Sequence, residues 1–176
     1  MNLLKPQSIF IVTLGVALFF SSCKEQEGCT DLLALNYNLN AVKENGSCKY
    51  LSENFVGIYG IKDSITGGML LGEWEAERNY TMEIVQDEDN PSQIIIRNWA
   101  QIHNYTDNYS DDYTQVSAYV NGDSLFVEFQ EIINTNSYKA HNSCGKIIVD
   151  SIFYDFEYEN FFGEVFWGTA SGIKIE

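Results

Sequence analysis

The residues with the most capacity for chemistry are acidic and aromatic. Glu73, Glu75 and Glu77 recur at every second position, so on a strand they share one face with neighbours about 7 Å apart. Two carboxylates at such a spacing could serve a glycosidase, but a solvated strand face carries the same pattern, and we take them as one. The stretch Trp99–Tyr113, WAQIHNYTDNYSDDY, sets Tyr105, Tyr109 and Tyr113 among Asn104, Asp107, Asn108, Asp111 and Asp112. Its rings offer stacking faces, and its carboxamides and carboxylates offer directional hydrogen bonds, the combination that holds sugars. The same oxygens suit Ca2+, and a long polar loop between strands has the same composition. Triad or metal catalysis has little to work with. In Gly168-Thr169-Ala170-Ser171-Gly172 the serine falls one place late for a nucleophile elbow. His103 and His141 lie in polar stretches with no acid partner or nucleophile in view, and the sequence contains no His-x-x-x-His, Cys-x-x-Cys or glycine-rich phosphate loop. The chain is expected not to be an enzyme.

The elements that would position these residues read as strands. Phe55–Ile61, Met69–Glu77, Tyr80–Val85, Gln93–Trp99, Val116–Val120, Leu125–Gln130, Ile147–Phe153, Tyr154–Tyr158, Glu164–Gly168 and Ile173–Ile175 are apolar or alternating runs. Eleven Tyr and eleven Phe against two Pro favour pleated, half-buried surfaces. Asp87-Glu88-Asp89-Asn90-Pro91 marks a turn, and Asn121-Gly122-Asp123 a hairpin, since Asn and Gly tolerate the positive φ of a type I′ turn. About nine or ten short strands on hairpin-length connections predict an all-β domain over 54–176, an antiparallel meander barrel or sandwich. Phe129, Phe156 and Trp167 are expected to face its interior, where they would either line a cavity for a small apolar ligand or simply fill the core.

The N-terminus gives an address. Lys5, an apolar run of roughly a dozen residues and two small serines before Cys23 make residues 1–22 a secretory signal peptide. The run is well short of the roughly 20 residues of a membrane-spanning helix. Its end, Phe20-Ser21-Ser22-Cys23, resembles a bacterial lipobox, which implies diacylation of Cys23 (palmitate-type chains) and cleavage just before it. Lys24-Glu25-Gln26-Glu27 then resembles the surface-export signal of Bacteroidota-type lipoproteins. That implies an outer-membrane location with display at the cell surface. Residues 23–28 would be the tether.

Gly28-Cys29-Thr30-Asp31, Ala34, Asn36-Tyr37-Asn38, Ala41 and Gly46-Ser47-Cys48 resemble a short GCTD…NYN…GSC module of surface and secreted proteins in the same bacteria. Export places the thiols in an oxidising setting. With Cys23 lipidated, Cys29 and Cys48 bracket this compact motif and are the expected pair, over 29–48. Closing such a loop is worth about 3 kcal/mol, which a segment too small for a core requires. Cys144, in His141–Gly145, is expected in a loop as a buried or idle thiol, with an intermolecular bridge as the alternative. Asp31, Asn36, Asn38 and Asn40 offer oxygen ligands for Ca2+, the one cofactor considered. Local capping of turns explains them equally and is preferred.

From Asn54 onward the rhythm FVGIYGI, NYTMEIV, NPSQIIIRNW, VSAYVNGDSLFVEF resembles an uncharacterised lipocalin-like β domain. The resemblance implies a small meander barrel and transfers no functional residue. Asp63-Ser64-Ile65, Asp123-Ser124-Leu125 and Asp150-Ser151-Ile152 resemble the Asp-Ser/Thr-apolar acceptor of O-glycosylation in these bacteria.

The formal net charge of −15, one unit more acidic once Lys5 is cleaved away, argues against nucleic acid and anionic headgroups as partners. The functional expectation is therefore an exported, lipid-anchored surface lipoprotein, non-enzymatic, whose β domain binds a small apolar ligand or presents an interaction surface. The alternative is a glycan-binding or adhesion module acting through residues 99–113.

Overall fold

The computed structural model describes residues 25–67, 74–102, 114–133, 135 and 137–176. Residues 1–22, the expected signal peptide, together with Cys23, Glu73, His103, Tyr105, Tyr109 and Tyr113 lie outside the described residues. The chain forms two compact units, one holding Asn36–Cys48 with the segment ending at Leu32, the other Leu33–Leu35 with Lys49–Glu176.

In the smaller unit, β1 (Glu27–Gly28) and β2 (Lys43–Glu44) make a short parallel pairing. The expected disulfide is present: Cys29 and Cys48 are bonded at 2.05 Å with Cα atoms 4.8 Å apart. Polar turns complete this unit. The Asn38 N–H donates to the Cys29 carbonyl at 2.8 Å and the Ala41 N–H to the Asn38 carbonyl at 3.0 Å. Gly28 sits in close quarters: a Cβ there would lie 3.0 Å from the Asn38 side chain and 3.2 Å from Ala41 Cβ.

The larger unit is built on strands long enough to alternate cleanly. In β3 (Gly57–Gly67) Tyr59, Ile61, Asp63 and Ile65 are buried while Gly60, Lys62 and Ser64 are exposed, the period of two expected of a sheet with one dry face. The other strands are β4 (Trp74–Gln86), β5 (Gln93–Arg97), β6 (Gln115–Asn121), β7 (Ser124–Val127), β8 (Gln130–Glu131), β9 (Lys139–Ala140), β10 (Ser143–Ile148), β11 (Ser151–Glu159) and β12 (Val165–Lys174). Antiparallel neighbours run β10-β7-β6-β5-β4-β3-β12-β11, and β11 pairs back onto β10. The sheet therefore closes as an eight-stranded antiparallel barrel, and closure removes its edges. The all-β barrel expectation holds.

The inward positions form one core. It includes Phe55, Tyr59, Ile65, Met82, Ile84, Ile94, Ile96, Trp99, Leu125, Val127, Ile152 and Phe156, each no more than 2 % exposed. At about 25 cal/mol per Å2 of buried apolar surface, such side chains contribute about 1.5–3 kcal/mol each.

Several boundaries differ from expectation, each for a physical reason. Ile147–Phe153 is not one strand. It folds into a hairpin at Val149-Asp150, with Ile148 opposite Ser151. Glu164–Gly168 and Ile173–Ile175 merge into β12, because Gly168 and Gly172 serve packing rather than turning. A Cβ on Gly168 would lie 2.2 Å from the Ser64 carbonyl oxygen, and one on Gly172 2.3 Å from Ile61 Cδ1. Cys144 sits within β10, not in a loop, and is an exposed free thiol. At the hairpin joining β6 to β7, positive φ falls on Gly122 alone (62°). A type I′ turn would need it at Asp123 as well. The turn at 87–91 forms as expected, with Asp87 Oδ1 accepting from the Asp89 and Asn90 N–H groups at 2.9 and 3.2 Å.

One hairpin changes face along its length. β7 pairs with β10 and β8 with β9 in an unbroken register. Yet Leu125 and Val127 point inward at odd positions, whereas Ile132 and Ala140 point inward at even ones. Against β11, the β9–β10 side carries one extra residue between Ala140, opposite Tyr158, and Gly145, opposite Tyr154. This is a β-bulge. Side chains stand in for the lost ladder bonds: Glu157 N–H donates to Ser143 Oγ at 3.2 Å, and the Gln130 carboxamide pairs with the backbone of Ser117 through two 2.8 Å bonds.

Candidate functional site

Trp99, Phe129, Phe156 and Trp167 scatter rather than converge. Trp99, expected on a surface stretch, is 1 % exposed, its ring edge-on to Phe156 at 6.2 Å and to Tyr158 at 6.5 Å. The cause is a left-handed kink: Asn98, Ala100 and Gln101 have φ of 58°, 53° and 47°, and the turn carries Trp99, Ala100 and Ile102 inward. Phe156 faces the interior as expected. Phe129 does not. It is 61 % exposed beside His141, ring centroids 5.6 Å apart, where the hairpin changes face. Trp167 is also outward, because Phe166, Gly168 and Ala170 occupy the inward positions of β12. The Glu75 and Glu77 side chains lie on an exposed strand face.

The oxygen-rich residues of the smaller unit are engaged locally. Asn36 Nδ2 donates to the Ser47 carbonyl at 2.6 Å, and Asn38 Oδ1 accepts the Asn40 N–H at 3.0 Å, an Asx turn. The hub is a residue outside the expected set. Glu44 accepts from the Thr30 N–H at 2.7 Å, the Thr30 hydroxyl at 2.9 Å, the Gly46 N–H at 2.8 Å and the Asn45 N–H at 3.0 Å. These donors, the Thr30 amide foremost, hold its carboxyl below the ordinary carboxylate value. Glu44 also lies close to Cys29 and Cys48, but both sulfurs are spent in the disulfide.

Within the barrel sits a polar cluster that alternation alone does not announce. Asp63 on β3 and Arg78 on β4 are directly opposite in register. Arg78 grips Asp63 with two bonds, Nε to Oδ1 at 3.0 Å and an Nη atom to Oδ2 at 2.6 Å. The Asp63 side chain is fully buried and that of Arg78 is 20 % exposed. Burial alone would lower the Arg78 pKa. The Asp63 carboxylate outweighs it and raises the value instead. The guanidinium also lies 5.9 Å from the ring centroids of Tyr80 and Phe156. The Tyr80 and Tyr154 hydroxyls meet at 2.8 Å, and burial pushes both phenols up. Burial also lifts Tyr158, and Tyr59 with a smaller push from Asp150, each to about 12. Tyr59 donates to the Phe55 carbonyl at 2.8 Å. The cluster pairs its own charges, so among the described residues the interior offers no free cation to an incoming anion.

Two clefts lie on the outer face. One, of about 510 Å3, is floored by Gly60 and walled by Phe153 and Ile173. A second, of about 470 Å3, adjoins it through the shared residues Lys62, Phe153 and Ser171. Both lie along β4, β3, β12 and β11. No single stretch of sequence contains this arrangement. Its only local signal is the alternation that places Phe153, Asp155, Trp167, Thr169 and Ser171 on outward positions.

Compared with known proteins, the chain matches no protein-family model and no curated protein.

Proposed function

We propose that this protein is an exported, lipid-anchored lipoprotein of the outer-membrane surface, non-enzymatic, whose barrel works through its outer face. The observation that carries the outer-face reading is the occupancy of the interior. Its described inward positions are filled by a continuous set of the chain's own side chains, and the cation among them, Arg78, is neutralised by Asp63. A small barrel can fill itself in this way. The clefts and the exposed rings of Phe153 and Trp167 are on the other side of the wall. Anchoring rests on the N-terminal sequence: the short apolar run, the serines before Cys23 and the charged tether.

Native mass spectrometry of the full lipidated chain, released from detergent micelles, tests the reading. The expected mass is that of Cys23–Glu176 with its acyl chains and nothing else bound. A further apolar, lipid-class mass of a few hundred daltons other than detergent, lost on denaturation, would point to a ligand inside the barrel and overturn the outer-face assignment. Labelled palmitate is expected to enter the chain and to be lost in Cys23→Ala; incorporation in that variant would refute the anchor.

A further inference from the structure

On the outer face of β11, β12, β3 and β4, residues stand in cross-strand rows. Ser151, Ile173, Gly60 and Thr81 form one row; Phe153, Ser171, Lys62 and Asn79 the next. Asp155, Thr169, Ser64 and Glu77 follow, and then Glu157, Trp167, Thr66 and Glu75. Two exposed aromatic rings are therefore separated by a wholly polar row. Phe153 is 47 % and Trp167 39 % exposed. Phe153 lies opposite Ser171, four residues from Trp167 along β12, so the two rings are about 13 Å apart along the strands.

Gly60 is the second observation. Glycine weakens a strand interior, and where it persists it often marks a close approach of another chain or ligand. The other glycines of β3 and β12 have steric reasons: an added Cβ on Gly57, Gly67, Gly168 or Gly172 would lie within 2.4 Å of a neighbouring atom. Gly60 has none: its backbone φ is not positive, and an added Cβ would meet nothing closer than Ile175 Cγ2 at 3.9 Å. What a side chain there would fill is the 510 Å3 cleft.

We infer that this face is a trough for a linear, neutral oligosaccharide, with Phe153 and Trp167 as its two stacking platforms and Gly60 left bare to seat the chain. The inference rests on the outer-face reading above and names its ligand. A sugar ring turns a C–H face to an aromatic ring and a hydroxyl edge to polar groups. The trough supplies both, with Asn79, Ser64, Thr169 and Ser171 as donors or acceptors and Asp155 and Glu77 as acceptors. Charge narrows the choice. Among the described residues these four rows carry Glu75, Glu77, Asp155 and Glu157 against one cation, Lys62, itself 3.2 Å from Glu77. Polyanions would be repelled. An acyl chain would lie across the hydroxyls and carboxylates of the middle row and leave them unpaired.

The test is titration of the full lipidated chain in detergent with linear neutral glucan, mannan and xylan oligosaccharides, followed by tryptophan fluorescence and calorimetry. At least one class is expected to bind and to perturb the emission of exposed Trp167. Trp167→Ala and Gly60→Val are each expected to weaken binding at least about tenfold, the loss of an interface anchor. Gly60→Val has room and strand propensity in its favour, so its melting temperature is expected to hold or rise, and its loss of binding then reports the cleft rather than the fold. Failure of every oligosaccharide to bind, or undiminished binding by both variants, overturns the trough. With a bare native mass, that outcome removes the sugar alone; a ligand retained inside the barrel removes the outer-face reading beneath it.

Discussion

Asp63 in the barrel and Glu44 in the disulfide-closed unit both accept hydrogen bonds on each carboxylate oxygen, yet they work in opposite surroundings. Asp63 is out of water and held by one charged partner, Arg78. Glu44 is at the surface, and collects backbone and hydroxyl donors from both sides of a loop that has little else to hold it. In the barrel the apolar core provides stability, and the ion pair must merely avoid spoiling it. In the smaller unit the carboxylate and the disulfide replace a core. A buried charge is costly when broken; an exposed one is replaceable but sensitive to solution conditions.

The largest effect should come from breaking the buried pair on one side only. Asp63→Ala leaves Arg78 without its counter-charge and is expected to cost the barrel about 3 kcal/mol or more by chemical denaturation. Asp63→Leu with Arg78→Met removes both charges and should recover most of that loss. Equal destabilisation by the single and double variants would mean that the pair itself, rather than its unpaired remnant, matters.

Next is Cys29→Ser with Cys48→Ser. Opening the loop should weaken the smaller unit by about 3 kcal/mol. Amide exchange is expected to accelerate across residues 36–48 while β3, β4 and β12 keep their protection. Parallel loss in those strands would show that the two units do not stand on separate supports.

A smaller gain is expected at the β10–β11 turn. Val149 holds φ at 58° and is 87 % exposed, a strained state for a β-branched residue. Val149→Gly should stabilise the barrel by about 1 kcal/mol, seen as a higher melting temperature; a lower one would show that the valine packs usefully despite its exposure.

The gentlest perturbation is acid. Because the folded Glu44 carboxyl lies below its ordinary value of 4.5, its contribution is present in full above that value. It is lost as pH falls through the lowered one. The Thr30 and Gly46 amide shifts are expected to move together in that window, and Glu44→Gln should abolish the movement. A transition that survives the substitution would belong to another group.

Much of the fold could be read along the chain. Alternation identified most strands, Asn121-Gly122 marked its hairpin, and the cysteine pair framed its module. The failures share a cause: local sequence does not say what a residue faces. Ile147–Phe153 looks continuous because its turn is made by a valine, a poor turn residue. Gly168 and Gly172 look like breaks because the atoms crowding them come from β3 and β11. Trp167 is aromatic enough for a core, but its parity turns it outward, and Phe129, which shares the parity of inward Leu125 and Val127, is turned out where the hairpin changes face. Asp63 and Arg78 meet only once β3 and β4 are in register. The outer trough needs four strands aligned, so no window of sequence could display it.

The hairpin that changes face has a consequence for how this chain can vary. Its two strands stay in step with each other while both shift against their neighbours, so inward positions are odd on one stretch and even on the next. A single-residue deletion in either strand alone would break that agreement and swap a buried set for a solvated one. Relatives of this protein should therefore differ in length here by matched changes on the two strands, or by even steps, and a lone one-residue gap should be the alignment that natural variation avoids.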